Sequence, residues 1–312
     1  MIIKLDQILN FLKNSKIRYR VIGEPYEHFT IASLFNPVMN GFYFFTGNSV
    51  FTQDISNSLI LIESELAIGK KPINNAFILV DNAQKVFYQL MSSLYSKKST
   101  GLISSSAEIS AETNMGVNVE IGSFSIVEAN KIGKNTKIGR NCTIHANVEI
   151  GDGVTIEDGS IIGTTGVAWI WDEIQKERII QPQIGGVKIG NNCFLGANTI
   201  VVRGSLNENT EIGNDVLIAP GCRLGHGTRI GSYTHLANGV ITGGNANIGN
   251  NCFVGSGVIF RPKVSIDNET VVGAGAVVVK NTSKPRLTLI GVPAKESVTN
   301  EVQSGIPKLI KK

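Results

Sequence analysis

Over the last two thirds of the chain one pattern dominates: an aliphatic residue at every sixth position. It runs Ile126, Ile132, Ile138, Ile144, Ile150, Ile156, Ile162, then Ile189, Leu195, Val201. After a one-residue slip it continues through Leu206, Ile212, Ile218, Leu224, Ile230, Leu236, Thr242, Ile248, Val254, Phe260, Ile266, Val272 and Val278. A strand alternates sides with period two, so a six-residue unit holds a short strand and a turn with the aliphatic always on the same side. Three such units close a triangular coil of about eighteen residues, and stacked coils make a parallel β-helix. The residue four places after each aliphatic is the second inward position, and it must be small because three of them crowd the axis. It reads Thr136, Cys142, Thr155, Ser160, Cys193, Thr199, Val216, Cys222, Thr228, Thr234, Ala246, Cys252 and Ala276.

The pattern stops twice. Residues 164–186, "TTGVAWIWDEIQKERIIQPQIGG", leave the six-residue phase and carry both tryptophans, Trp169 and Trp171. They are expected to form a loop thrown out of the coil. Beyond Val278 comes a basic tail with Pro285, Pro293 and Pro307. The first hundred residues differ in texture. Leu5, Ile8, Leu9 and Leu12 make a helical stripe; "GFYFFTGNSVF" and "NSLILIESEL" read as strands. "NNAFILVDNAQKVFYQLMSSLY" reads as a strand into a helix, capped by Asp81 or Asn82, with Ala83, Val86, Phe87, Leu90, Met91 and Leu94 as its buried stripe. The expected organisation is an α/β domain over 1–98, a β-helix over 99–285 and a basic tail over 286–312, with "SKKSTG" (96–101) as linker.

Composition narrows the field. A chain of 312 residues with 42% hydrophobic and 17% charged residues is a folded protein, and the formal net charge of +4 is mild. No basic face interleaved with aromatics points to nucleic acid. There is no signal-peptide pattern and no apolar run of about twenty residues, so the expectation is a cytoplasmic protein without membrane insertion. The four cysteines lack CxxC spacing and all fall in the small inward slot, so they read as core rather than as metal or redox ligands.

The repeat needs no histidine, yet "GCRLGHGTRIG" (221–231) holds His226 between two glycines. It lies two places after inward Leu224, at a corner of the prism, with Gly225 and Gly227 leaving room around it. Gly244 is eighteen residues on, one coil away, and stacks beside it. A neutral imidazole can accept a proton near neutral pH.

The hexapeptide pattern resembles the hexapeptide-repeat acyltransferases. An α/β domain, a β-helix, one long loop and a short tail resemble the branch that includes the UDP-3-O-acylglucosamine N-acyltransferases of lipid A synthesis. "PQIGGVKIGNNCFLGANTIVVRGSL" and "CRLGHGTRIG" carry that likeness. The resemblance implies a left-handed β-helix, a homotrimer with active sites between subunits, His226 as catalytic base and Gly244 as oxyanion donor. It further implies that Phe45, Asn48 and Phe51 in "FFTGNSVF" hold a uracil ring, and that Trp169, Gln183 and Arg203 meet the UDP-amino sugar. The chain departs from that branch at Val202, where the branch has Asp, at Lys263, where it often has a second histidine, and in "GVAW" (166–169).

The donor stays open between acyl carrier protein and coenzyme A. The tail is short, and "GVPAK" (291–295) looks like the coenzyme-A-binding end of simpler acetyltransferases. Arg223, Lys263, Lys280 and Arg286 are the candidate donor-binding cations; charge does not choose between an acidic carrier and a 3′-phosphate. The main reading is N-acyl transfer to a UDP-amino sugar. The alternatives are a coenzyme-A-dependent amino-sugar N-acyltransferase of surface-glycan synthesis and a non-catalytic scaffold. A zinc trimer needs several histidines on adjoining coils, and His226 and His235 lie half a coil apart, so no metal is expected. His28, His145 and His235 match no motif position and are expected to be structural.

Overall fold

The structure is a computed structural model, and it describes residues 1–46, 55–68, 74–96 and 98–297. The chain divides into two compact units, Met1–Lys97 and Lys98–Lys312.

The first unit is a six-stranded sheet flanked by helices. Its elements are β1 (Ile2–Lys4), α1 (Leu5–Asn14), β2 (Arg20–Ile22), β3 (His28–Ile31), β4 (Gly41–Phe44), β5 (Leu59–Ile62), β6 (Ala76–Leu79) and α2 (Ala83–Tyr95). The strand order is β1-β3-β4-β5-β6-β2, parallel from β3 to β6 and antiparallel at both edges. The run Leu59–Ile62 is buried at every residue because the sheet is covered on both sides. Leu59 and Leu61 pack with the α1 and α2 stripes, Ile8, Leu12, Val86, Phe87 and Leu90, while Ile60 and Ile62 join Tyr43, Ile55, Ala67 and Phe77. Asn82 is the cap of α2: its side chain accepts from the Lys85 N–H at 2.8 Å. Leu94 departs from expectation. It is exposed, because the last turn of α2 runs past the sheet. The strands β1, β2 and β3 are not legible from pattern because each buries at most one residue, unlike the apolar runs of β4, β5 and β6.

The second unit is a left-handed parallel β-helix with three faces. Face 1 has nine strands, from Glu108–Ile109 to Val277–Val278; face 2 has eight, from Asn114–Met115 to Ser265–Ile266; face 3 has ten, from Glu120–Ile121 to Lys295–Ser297. Partners on a regular coil lie eighteen residues apart, as in Leu224↔Thr242 and Ile230↔Ile248. The inward aliphatics from Ile132 to Ile162 and from Ile212 to Val278 are buried, together with Thr242.

Three positions of the sequence reading are corrected. Val127, not Ile126, points inward; Ile126 is 42% exposed. The coil phase begins earlier than 126, through Ile109, Met115, Ile121 and Val127, and the next corner is one residue short, which shifts the register before Ile132. Leu206 is exposed because it sits in a bend outside the wall, and Val154 takes the small slot in place of Thr155.

Two features hold the coils in register. At the corner between faces 2 and 3, side-chain oxygens accept backbone N–H groups from the coil before. Asp152 accepts from Lys134 (3.0 Å), Asn191 from Asp152 (2.8 Å) and Asn214 from Asn191 (2.8 Å). Ser232, Asn250 and Asn268 continue the same ladder. The corners also need one residue with positive φ, which explains why Asn recurs there, as at Asn135, Asn192, Asn198, Asn245 and Asn251.

The four cysteines are buried in the wall. Burial pushes all four thiols above their usual range, Cys193 and Cys252 to about 11, only partly offset by backbone hydrogen bonds. None is expected to react with a thiol reagent at pH 8 in the native protein, and all four are expected to react in denaturant. Stoichiometric labelling of a native thiol would contradict this. Among the described residues no helix is long and apolar enough to cross a membrane.

Candidate functional site

The regular corner between faces 1 and 2 takes six residues from one inward aliphatic to the next, as from Leu224 to Ile230. Two successive coils depart from this at the same corner, immediately before the coil of His226. The first departure is the excursion at 164–186. It is not an irregular loop but a β-hairpin, Ala168–Asp172 antiparallel to Glu177–Gln181, with register pairs Trp169↔Ile180 and Trp171↔Arg178. The second is the bend at 203–208, between Ile200–Val202 and Asn209–Ile212.

These two insertions are tied together. Ile184 N–H donates to the Ser205 carbonyl (2.9 Å), Gly185 N–H to the Gly204 carbonyl (3.1 Å), and Gln181 Nε2 to Ser205 Oγ (3.2 Å). The bend is closed by Glu208: its Oε1 accepts the Ser205 N–H at 2.9 Å and its Oε2 the Leu206 N–H at 3.0 Å. The Leu206 N–H, Glu208's own N–H and the Ser205 N–H, in that order, hold the Glu208 carboxyl below its usual range against a small cost of burial, and the nearby His226 lowers it further.

His226 sits one coil after Glu208 and one coil before Gly244. Its imidazole lies directly against Gly244. A Cβ at 244 would fall inside van der Waals contact of Nε2, and at 2.6 and 2.7 Å from Cδ2 and Cε1. The backbone keeps the three in line: the His226 carbonyl accepts from Asn245 N–H at 2.7 Å. The Gly244 N–H donates to no acceptor among the described residues. His226 is half-buried, and its Nδ1 is shielded from solvent with no hydrogen-bond partner there.

The flanking glycines serve another purpose than the expected one. Gly227 has φ +64°, and its N–H donates to Thr210 Oγ1 at 2.9 Å; a side chain at 225 would collide with backbone of the next coil at Thr242–Gly244. They turn and stack the corner. The glycine that makes room for the ring is Gly244.

The remaining candidates separate. Arg203 lies on this corner, but its guanidinium donates to the Gly163 (2.7 Å) and Ala146 (3.1 Å) carbonyls and so clamps two preceding coils. Gln183 is 5% exposed at the root of the hairpin, where its Oε1 accepts the Gly166 N–H while its Nε2 has no partner among the described residues. Trp169 is half-exposed on the hairpin, with the Arg178 guanidinium 4.5 Å from its ring centroid. Lys263 and Lys280 project from the same corner on later coils, and Arg223 stands outward on face 1 beside it. Arg286 is not part of this group. It lies at the corner between faces 2 and 3, paired with Glu269 at 2.8 Å, because the chain has by then crossed to face 3. Phe45 lies after β4 in the first unit, while Asn48 and Phe51 lie outside the described residues.

Of the other histidines, His145 shares this corner on an earlier coil, between Thr143–Ile144 and Val148–Ile150. His145 faces Glu128 at 3.8 Å, His28 lies on β3 near Glu27, and His235 stands on face 3 edge-on to Phe253 at 5.2 Å, its pKa lowered by burial. Among the described residues no three His, Cys, Asp or Glu side chains gather as metal ligands. Glu208 escaped the sequence reading because it lies in the bend; counting one coil back from His226 is the signal that finds it.

A family model described as "Bacterial transferase hexapeptide (six repeats)" matches residues 131–164, 209–244 and 245–280. The UDP-3-O-acylglucosamine N-acyltransferase of Xanthomonas euvesicatoria pv. vesicatoria (strain 85-10) is 38% identical over 71 residues, 21% of this chain and 20% of that protein. The protein of the same name from Xanthomonas campestris pv. campestris (strain 8004) is 47% identical over 49 residues, 14% of each chain. The chain thus spans about a fifth or less of the length of these curated relatives. Among solved structures, the UDP-N-acetylglucosamine acyltransferase of Bacteroides fragilis superposes with TM-score 0.56 at 26% identity, over 63% of this chain and 74% of that one. That of Francisella novicida gives 0.55 at 24% identity, over 63% and 69%, and speaks for the fold alone. The stretches 131–164, 209–244 and 245–280 thus carry the hexapeptide repeat of bacterial transferases, and the fold of the second unit is that of the solved acyltransferases.

Proposed function

We propose that this chain is an N-acyltransferase that moves an acyl group from a thioester donor to the amine of a UDP-linked amino sugar, with His226 as general base. The observation that carries the reading is the His226 imidazole lodged against Gly244, at the one corner where two insertions build up the wall. The names of the curated relatives support the acceptor class. In the reaction the amine attacks the thioester carbonyl, and Nε2 of His226 takes the proton the amine sheds. The carbonyl oxygen gains the charge, and the free N–H of Gly244 is the donor beside it. Collapse breaks the carbon–sulfur bond, and the departing thiolate takes the proton back from the imidazolium. No covalent acyl-enzyme is required.

The outer surfaces favour a homotrimer. Face 2 carries a column of alternating charge, Lys131, Glu149, Lys188, Glu211 and Arg229. Faces 1 and 3 present mainly apolar columns instead: Ile161, Ile200, Ile241 and Ile259 on one, interrupted by Arg223, and Phe194, Leu217, Phe253 and Val271 on the other, interrupted by His235. Two apolar faces per protomer suit a closed ring in which face 1 of one copy meets face 3 of the next. Acyl carrier protein remains one donor. Coenzyme A is the other: "GVPAK" resembles the coenzyme-A-binding end of simpler acetyltransferases, and its residues Gly291–Pro293 stand exposed in the turn after Thr288–Ile290.

The α/β unit is assigned to the uridine end of the acceptor. Removing residues 1–100 is expected to leave a folded β-helix and to weaken binding of a UDP-amino sugar at least tenfold by calorimetric titration. Unchanged affinity would refute that assignment.

A further inference from the structure

We propose that Glu208 is the positioning residue that orients His226; the proposal rests on the reading of His226 as general base. Three observations carry it. Glu208 lies eighteen residues before His226, on the adjacent coil of the same corner, and its side chain reaches down towards the 226–227 segment: its Cγ is 3.8 Å from where a Gly227 Cβ would stand. Its carboxylate is fixed and ionised, gripped by the Leu206 and Ser205 N–H groups and by its own N–H, yet its two oxygens offer four lone-pair sites to these three donors. His226 Nδ1 is shielded from solvent and without a partner among the described residues, so it needs an acceptor from nearby.

Other carboxylates of this stretch are engaged elsewhere: Glu211 lies 3.9 Å from Arg229, and Glu128 lies 3.8 Å from His145. A proton held on Nδ1 towards Glu208 leaves the Nε2 lone pair free over Gly244, which is the tautomer a general base requires. The carboxylate also stabilises the imidazolium that forms when the proton is taken. The bend at 203–208 thereby has a function: it places a carboxylate on the coil adjacent to His226 at the same corner, and Gln181 of the hairpin root pins the bend through Ser205.

The test is NMR titration of the four histidine rings, with His226 assigned by its disappearance in His226→Ala. In Glu208→Gln, which keeps an acceptor for the bend, the His226 ring is expected to titrate roughly one pH unit lower than in the wild type. Glu208→Asp restores most of the shift. The acid limb of kcat/KM moves in the same direction. Identical His226 titration in wild type and Glu208→Gln overturns the proposal, provided thermal melting shows both folded; if the Gln variant unfolds, Glu208→Asn, which also removes the charge and keeps an acceptor, carries the test with the same criterion. A shifted titration in a protein that transfers no acyl group retains the pairing and instead sinks the general-base reading.

Discussion

Replacing His226 with alanine is expected to lower acyl transfer by a factor of hundreds or more while leaving the β-helix folded. The magnitude is that of losing a positioned general base, 10²–10⁴-fold. The loss belongs in kcat, because the imidazole acts on a proton that moves only as the carbon–nitrogen bond forms. The fold is spared because the ring lies at a corner, half-buried, outside the aliphatic column of Leu224 and Ile230. A purified variant with an unchanged melting temperature and near-wild-type turnover would remove His226 from the mechanism.

Gly244→Ala is expected to cost about a hundredfold in kcat, nearly as much, from the opposite side of the contact. Gly244 is not held at positive φ, so alanine meets no backbone strain. What it meets is the imidazole: its methyl group would occupy the space of Nε2, Cδ2 and Cε1. The ring is the flexible partner and swings out, so stability changes little while the base leaves its place, and a displacement of about 1 Å costs on the order of 10²-fold. Paired kcat and melting measurements check this. Full activity in Gly244→Ala would mean that the ring does not need its observed seat.

The repeat made the β-helix legible because its inward positions are set by burial, and burial writes itself in aliphatic residues at a fixed spacing. Its errors came where geometry leaves that rule. Ile126 and Leu206 are aliphatic but point outward, and only the shortened corner before Ile132 and the bend before Asn209 reveal it. His226 and Gly244 were found because their separation equals one coil. Glu208 was hidden by the insertion around it. The hairpin at 168–181 read as a loop because both its faces carry exposed apolar residues, Ile170, Ile179 and Ile180 among them, and so show no period-two alternation. In the first unit, the four-residue buried run of β5 was visible, but its place in the sheet order was not, since parallel crossovers leave no local trace.

The central claim is the reaction, and product mass tests it most directly. Purified full-length protein is incubated with UDP-amino sugars and either a 3-hydroxyacyl carrier protein or a short acyl-coenzyme A, alongside His226→Ala. The account predicts a UDP-sugar product heavier by one acyl group in place of an amine hydrogen, formed by the wild type and reduced at least a hundredfold in the variant. No acylated sugar from any donor and acceptor pair, or equal product from both proteins, would contradict it.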